Sequence, residues 1–309
     1  MIDVIMPAHP KDLGTLDLCI ESVRSYVKDV RRIIVVSNKK LTDNAEWFNL
    51  DHFPFDGDSV RKIHGSWPKN GWFLMQLIKF YAPVVIPDIT QQSLSCDTDC
   101  IFLNPVYFTE GDYPRWSQTY DLAKGKVQGP LNAERFMQKL HPEIYTDGII
   151  TEAIDRNVYN IESQIAPYVF DKSILKSMMK DIESYHKEGK FWEIFLKCSD
   201  RSKSGSSEHQ IYFLYCVQKY RDILKYSHRY KWSIACSKTG SEQVNYIPDK
   251  KTLDRFKKEN YHWIAFQSHM RGIRTHNYKE LCLICGKPKK QCIDTGCDNA
   301  NARQREVVK

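Results

Sequence analysis

The carboxylates of Asp97-Thr98-Asp99 are the side chains whose type and spacing most clearly indicate chemistry. The short run at residues 93–96 precedes them, and the apolar run Ile101-Phe102-Leu103 follows. The apolar runs on both sides therefore predict one buried strand, interrupted at its end by the two acids. Ionised carboxylates beside a core are unfavourable unless a cation meets them. A divalent cation such as Mn²⁺ or Mg²⁺ binds carboxylate oxygens together with substrate phosphates. The alternative is a polar turn between two strands, with both acids in solvent.

The N-terminal elements predict how this pair is positioned. A short strand over Ile2–Met6, an amphipathic helix over Leu16–Val27 and a buried strand over Arg32–Ser37 form a βαβ unit, which is typical of a parallel sheet. Parallel sheets bind ligands at the carboxyl ends of their strands. That rule places the loop Pro7–Asp12, Ser37 and the two acids at one edge. We expect an α/β fold, a single domain with a central, mostly parallel, Rossmann-like sheet flanked by helices.

Composition and charge exclude several classes of protein. The 309-residue chain is 42% hydrophobic and has a net charge of +7 without a basic arm for nucleic acid. This balance suits an anionic small ligand, and it leaves peripheral contact with an anionic membrane open. The chain shows no long apolar run typical of a transmembrane segment and no secretory signal, so we expect a cytoplasmic protein with reduced thiols. Neither a dinucleotide-binding glycine fingerprint nor a P-loop is present.

Further helices are predicted along the chain. Residues 40–70 look irregular, and a helix that begins at Gly71 and ends before Pro83 carries Gln76 and Lys79. Asp171 has the position of a helix cap, and Ser207-x-x-Gln210 has the form of a capping box that puts Glu208 in a first helical turn. Shorter helices are predicted over residues 191–196 and 251–259, followed by an apolar segment over residues 261–269.

Four short motifs occur in order along the chain. They are Pro7-Ala8-His9-Pro10-Lys11-Asp12, Trp72-x-x-x-Gln76-x-x-Lys79, Asp97-x-Asp99 and Ser207-Glu208-x-x-x-Tyr212. Together they resemble the glycosyltransferases of GT-A type, and within them a poorly characterised bacterial and viral family. The resemblance covers roughly residues 1–270. This chain departs from the family pattern at His209 and Gln210, where the family has Tyr and Glu, and at 167–171, where the family has histidines.

The resemblance implies a metal-dependent glycosyltransferase, either a hexosyl- or a pentosyltransferase. It would move a sugar from a UDP- or GDP-linked donor to a hydroxyl of a glycan or another acceptor. Residues 1–274 would form the GT-A-like domain, with a nucleotide-sugar-binding half over 1–110 and an acceptor-binding half over 111–274. The DXD motif would hold Mn²⁺ or Mg²⁺ through Asp97 and Asp99, with His269 as a further ligand and His262 as its alternative.

Roles for other side chains follow from the same resemblance. The residues expected to contact substrate are Pro7, Ala8, His9, Lys11, Asp12, Ser37, Trp72, Gln76, Lys79, Asp97, Thr98 and Tyr212. Lys79 would supply a cation for the diphosphate. Asp97, also expected to be catalytic, would share the metal through water or bind the donor ribose. Glu208 would be the general base if the transfer inverts configuration; otherwise it would orient the acceptor, or simply suit the helix dipole.

The tail over residues 275–309 is basic and cysteine-rich. Cys282, Cys285, Cys292 and Cys297 could close a structural Zn²⁺ site, and the alternative is a flexible tail with free thiols. Two other functions stay open at this point. One is a metal-dependent nucleotidyl- or phosphotransferase, which would also use paired acids, although the first loop lacks the expected glycines. The other is a non-catalytic binding module.

Overall fold

The computed structural model describes residues 1–66, 70–117, 136–145, 167–199, 207–228, 230–234 and 248–266. The strands in these ranges are β1 (Ile2–Pro7), β2 (Val30–Ser37), β3 (Glu46–Asn49), β4 (Gln92–Ser95), β5 (Cys100–Phe102), β6 (Thr109–Glu110), β7 (Tyr113–Ser117), β8 (Tyr168–Asp171), β9 (Tyr226–His228), β10 (Trp232–Ile234) and β11 (Trp263–Ala265). The α-helices with assigned bounds are α1 (Leu13–Tyr26), α2 (Gly57–His64), α3 (Asn70–Val85), α4 (Lys172–His186), α5 (Phe191–Cys198), α6 (Glu208–Lys219) and α7 (Lys250–Lys258).

The central sheet has five strands in the order β3-β2-β1-β4-β8. The pairs β2–β3, β1–β2 and β1–β4 are parallel, and β4–β8 is antiparallel. The inner strands β1 and β2 are mostly apolar because both faces of the sheet are covered. The expectation of an α/β fold with a central, mostly parallel sheet flanked by helices is confirmed.

Helices cover the two faces of this sheet because alternate strand residues point to opposite sides. On one face, Val4 and Met6 of β1 share a buried cluster with α1. On the other face, Ile5 of β1 and Ile34 of β2 lie in a larger cluster with α3, α4, α5 and α6. The helical stripe predicted for the first helix is therefore its buried face, although α1 ends at Tyr26 and Val27 lies just beyond it.

The chain leaves the central sheet immediately after β4. The turn Asp97–Asp99 leads into β5, which pairs antiparallel with β11 in a second sheet of order β10-β11-β5. A third small sheet has the order β6-β7-β9. The two apolar runs around the acids are thus strands of different sheets, and the prediction of one interrupted strand was wrong. The acids lie at the junction between the two sheets.

The segment over residues 40–70 is more regular than its sequence predicts. It contains β3, an edge strand whose Glu46 bonds Arg32 of the neighbouring strand. It also contains α2, where Asp56 accepts a hydrogen bond from Ser59 N at 2.7 Å and Ser59 Oγ accepts one from Asp56 N at 3.3 Å. This reciprocal capping box was visible in the sequence and was the signal that could have located the helix.

Helix α3 continues through Pro83 to Val85, so the prediction that it ends before Pro83 was wrong. A proline lacks the N–H that would bond the carbonyl four residues earlier, which is a cost that packing can offset. Pro83 is buried, and Ile86 N donates to Ala82 O at 3.0 Å just past it. None of the helices in the described ranges is long and apolar enough to cross a membrane.

Candidate active site

The Asp97–Asp99 turn is fixed by its backbone. Cys100 N donates to Asp97 O at 3.1 Å, and Phe266 N, just past β11, donates to Asp99 O at 2.9 Å. On the other side, Cys96 N donates to Ile5 O at 3.0 Å and so ties the turn to β1. Both carboxylates are half-buried, and Thr98 between them is buried. The turn therefore holds two acids at the carboxyl edge of the central sheet.

Three buried thiols lie directly beneath this turn. Cys19 Sγ is 3.6 Å from Asp97 O, and Cys96 Sγ is 3.5 Å from the same oxygen. The contact with Cys96 and burial raise the pKa of the Cys100 thiol well above its usual range. These cysteines are free and protonated at neutral pH, so they pack as small apolar groups under the acids.

The loop after β1 lies beside the acids, as the fold class predicts. Ala8 N donates to Val36 O at 2.9 Å, and His9 N donates to the Asp12 carboxylate at 2.9 Å. Lys11 N donates to His9 Nδ1 at 3.2 Å, and Pro7 and Ala8 are buried. Burial raises the pKa of Asp12, and the nearby negative charge of Asp97 adds to this effect.

Ser37 ends β2 at the same edge of the sheet. Its hydroxyl is buried and donates to Lys39 O at 2.7 Å, while Ser37 O accepts from Trp47 Nε1 at 3.1 Å. These bonds shape the loop after β2. The loops after β1, β2 and β4 therefore meet at one edge, in the arrangement expected from the sequence.

Trp72, Gln76 and Lys79 lie one helical turn apart along a single stripe of α3. Lys79 Nζ is 2.7 Å from Asp97 Oδ1 and 3.0 Å from Glu208 Oε1. Burial by itself lowers the pKa of Lys79, but the two carboxylates outweigh it and raise that pKa well above its ordinary value. Lys79 is therefore a buried cation between two acids.

Glu208 begins α6 as predicted, but its hydrogen-bond partners belong to α3 and β8. Its backbone N donates to Gln76 Oε1 at 2.9 Å, and its Oε1 accepts from the Tyr168 hydroxyl as well as from Lys79. The predicted capping box does not form, because the Ser207 hydroxyl is 2.7 Å from His209 Nδ1 and makes no capping bond. Gln76 accepts instead from the first N–H of the helix, that of Glu208.

Tyr168 is a site residue that sequence reasoning missed. It is partly exposed on β8, it bonds Glu208, and its ring centroid is 6.0 Å from Lys79 Nζ. Burial and the charge of Glu208 raise the pKa of the Tyr168 hydroxyl. The only sequence signal for Tyr168 was its place in the segment over residues 167–171, whose counterpart in the family that this chain resembles begins with histidines.

Other residues predicted for the site lie apart from the acids or outside the described residues. Tyr212 is buried against Phe170, with ring centroids 4.8 Å apart, and its hydroxyl accepts from Asp171 N at 2.9 Å. His262 lies opposite Leu103, whose N donates to His262 O at 2.8 Å, at the end of β5 away from Asp99. Three residues of β5, about 10 Å of strand, lie between Asp99 and Leu103. His269, Cys282, Cys285, Cys292 and Cys297 lie outside the described residues.

The paired carboxylates fit a hard divalent cation whose remaining ligands come from elsewhere. No three His, Cys, Asp or Glu side chains in the described part of the chain form a complete metal site. Mg²⁺ and Mn²⁺ are commonly bound by one or two carboxylates together with waters and substrate phosphates. Asp97 and Asp99, half-buried on a fixed turn, match that donor set.

Comparisons with known proteins give a family without an assigned activity. The chain matches a family of unknown function (DUF6492) over residues 2–262. No curated protein matches the sequence.

Among solved structures, an active-site mutant of LgtC aligns at 12% identity, over 62% of this chain and 68% of that one, with a TM-score of 0.35. The galactosyltransferase LgtC in complex with donor and acceptor sugar analogues aligns at 12% identity, over 62% and 69%, with a TM-score of 0.34. WbbM, a bifunctional glycosyltransferase, aligns at 12% identity over 86% of this chain, with a TM-score of 0.40. The alignment spans about half of WbbM, 46% of its length.

Proposed function

The chain belongs to the DUF6492 family of unknown function, and we propose that it is a metal-dependent glycosyltransferase. It transfers a hexosyl or pentosyl group from a UDP- or GDP-linked donor to a hydroxyl acceptor, such as a glycan. The observation that carries the proposal is the pair of half-buried carboxylates, Asp97 and Asp99, on a fixed turn where the loops after β1 and β2 converge. The order of the four sequence motifs supports the same conclusion.

Asp97 and Asp99 would hold Mn²⁺ or Mg²⁺ against the donor diphosphate. A bound divalent cation supplies Lewis-acid stabilisation of the departing diphosphate. His269 is proposed as a further ligand. Phe266 N donates to Asp99 O at 2.9 Å, so the chain leaves β11 beside the acids and His269 follows three residues later.

The donor nucleoside would lie against the loop Pro7–Asp12 and the end of β2 at Ser37. In this arrangement the backbone of Ala8 allows close approach, and the Lys11 and Asp12 side chains face base, ribose or phosphate. Residues 111–274, which include Glu208, would bind the acceptor. Tyr168 adds a partly exposed aromatic ring beside that carboxylate.

The test is a thermal-shift screen followed by a donor-hydrolysis assay. The melting temperature of the purified protein should rise when Mn²⁺ and a UDP- or GDP-sugar are added together, because metal and diphosphate complete one site. Asp99→Ala should abolish metal-dependent donor hydrolysis, a loss of at least about 100-fold, since it removes a metal ligand. Asp43→Ala, an acid whose side chain is 92% exposed, is the matched control and should keep full activity.

The competing functions predict different results in the same experiments. A nucleotidyl- or phosphotransferase would consume a nucleoside triphosphate and release pyrophosphate or nucleoside diphosphate without cleaving a sugar donor. A binding module would show no turnover with any donor. Absence of any response to sugar nucleotides, with and without metal, would overturn the glycosyltransferase proposal.

A further inference from the structure

The buried ammonium of Lys79 has a position that bears directly on how the proposed metal site works. Its Nζ lies 2.7 Å from Asp97 Oδ1 and 3.0 Å from Glu208 Oε1. The side chains of Lys79 and Glu208 are 6% and 4% exposed, so water screens this cation poorly. Resting on the proposed function, we propose that Lys79 is an internal counter-cation. It lowers the affinity of Asp97 and Asp99 for a divalent cation until the donor diphosphate arrives.

The argument begins with the charge that Asp97 already has beside it. A carboxylate at 2.7 Å from an ammonium is largely neutralised by it. A divalent cation that binds the same carboxylate must approach the ammonium to within a few ångströms, and like charges at that distance in a buried site repel strongly. The metal-free protein therefore attracts Mn²⁺ weakly. A nucleoside diphosphate adds negative charge of its own and offsets this repulsion.

Glu208 determines where the ammonium is held. Its Oε1 accepts hydrogen bonds from Lys79 and from the Tyr168 hydroxyl, and its backbone N donates to Gln76 Oε1 at 2.9 Å. A general base must reach the acceptor hydroxyl, whereas this oxygen already serves two donors within the protein. Glu208 acts through Lys79, as a positioning residue that shares the ammonium with Asp97.

The same geometry changes the role expected for Lys79 itself. The sequence suggests that Lys79 binds the diphosphate directly. Its side chain is almost fully covered and already contacts two carboxylates, so a direct phosphate contact would require it to leave one of them. Acting on the metal through Asp97 requires no such movement.

The experiment measures Mn²⁺ binding to the full chain without nucleotide, by electron paramagnetic resonance of free Mn²⁺ and by thermal shift. Lys79→Met should tighten Mn²⁺ binding by about tenfold or more, because it removes the competing cation. It should also give a thermal shift with Mn²⁺ alone. Glu208→Gln should weaken Mn²⁺ binding several-fold, because it removes a negative charge and leaves Lys79 to Asp97.

Conservative and control variants separate this role from a structural one. Lys79→Arg keeps the charge, so its affinity for Mn²⁺ should stay within about threefold of the wild-type affinity. Lys62 lies on the exposed face of α2, so Lys62→Met should leave both the Mn²⁺ affinity and the thermal shift unchanged. A merely structural role would weaken binding in both Lys79→Met and Glu208→Gln, because both would loosen the same turn. Tighter Mn²⁺ binding in Lys79→Met together with weaker Mn²⁺ binding in Glu208→Gln is the result that only the proposed role predicts.

Lys79→Met leaves two carboxylates without their cation and could fail to fold. The double variant Lys79→Met/Glu208→Gln removes that conflict, and it should bind Mn²⁺ more tightly than Glu208→Gln alone. Unchanged or weaker binding in the Lys79→Met proteins would overturn the inference. In that case, loss of Mn²⁺ binding in Asp99→Ala would still support the proposed metal site, and only the role of Lys79 would be wrong. Failure of the wild type to bind Mn²⁺, with or without UDP or GDP, would overturn the proposed function.

Discussion

The buried charge of Asp3 is met by a partner of opposite sign. Asp3 of β1 is fully buried, and its Oδ1 and Oδ2 accept from Arg31 at 2.9 and 2.6 Å. Thr90 N also donates to its Oδ2 at 3.0 Å. Burial alone raises the pKa of Asp3, but these bonds and the positive charge of Arg31 outweigh it and hold the pKa below its ordinary value. Asp3 thus has a structural role at the edge of the sheet opposite the candidate site.

Asp3→Asn should lower the free energy of unfolding at pH 7 by about 2 kcal/mol, because it removes the charged acceptor of several partly buried hydrogen bonds. The sign of the pH dependence follows from the lowered pKa. Stability from Asp3 is fully present above the unfolded pKa and is lost as the pH falls through the folded pKa. Urea unfolding of both proteins should therefore show a difference that shrinks from pH 7 towards about pH 3.

Asp43→Asn is the matched control for this prediction. Asp43 forms an ion pair with Lys40, but its side chain is 92% exposed. Exposed pairs of this kind contribute little to stability, so the control should unfold like the wild type at every pH. An Asp3→Asn difference that persisted undiminished at low pH would contradict the ionic account.

Helix ends decide much of the architecture at the scale of elements. Asp171 closes β8 and caps α4, accepting from Ser173 N at 3.0 Å and Ile174 N at 3.1 Å, as the sequence predicts. The start of α6 is different, because Ser207 makes no capping bond and Gln76 of α3 accepts from the first N–H of the helix. A cap formed by the residue just before the helix can be predicted from sequence. A hydrogen bond from a residue of another helix depends on how the two helices pack.

Asp171→Ala should destabilise the protein by about 1 kcal/mol, because two N–H groups of the first turn of α4 lose their acceptor. Asp171→Ser should recover much of this loss, since serine is also a good cap. The free energies of unfolding in urea test both substitutions. Equal losses in the two variants would show that the bond from Gln91 Nε2 to Asp171 Oδ1, at 2.8 Å, matters more than the cap.

At the scale of the whole molecule, the second sheet links the C-terminal part of the described chain to the candidate site. β11 lies between β10 and β5, and Phe266 N at its end donates to Asp99 O. The Asp97–Asp99 turn is therefore held by β1 on one side and by residues more than 160 positions later on the other. Loosening β11 should affect both the fold and the turn.

Ile264→Ala tests this link, because Ile264 is fully buried in the middle of β11. The substitution should cost about 3 kcal/mol of unfolding free energy through lost packing and a cavity. It should also weaken the thermal shift produced by Mn²⁺ and a sugar nucleotide. Leu13→Ala, at a position that is 46% exposed, is the size-matched control and should change stability by no more than about 0.5 kcal/mol. A full ligand response in the Ile264 variant would contradict the link.

Much of the fold and part of the site could be predicted from the sequence, because they depend on local patterns. Short apolar runs indicated β1 and β2, period-3.6 hydrophobicity indicated α1, and the short connections implied a parallel sheet. The parallel order then brought Pro7–Asp12, Ser37 and Asp97–Asp99 to one edge. Edge strands such as β3 and β8 carry weaker patterns, because one side of each lacks a full set of buried neighbours.

The tertiary structure alone decided which distant side chains meet. The spacing of Trp72, Gln76 and Lys79 indicates one face of a helix, but spacing cannot name the partner of that face. Lys79 and Glu208 are 129 residues apart, and their contact exists because α3 and α6 pack together beside β8. Asp97 and Asp99 are thus carboxylates that the sequence itself singled out. The neutralisation of Asp97 by Lys79 is a property of the packed molecule, because burial brings the charges together and keeps water from screening them.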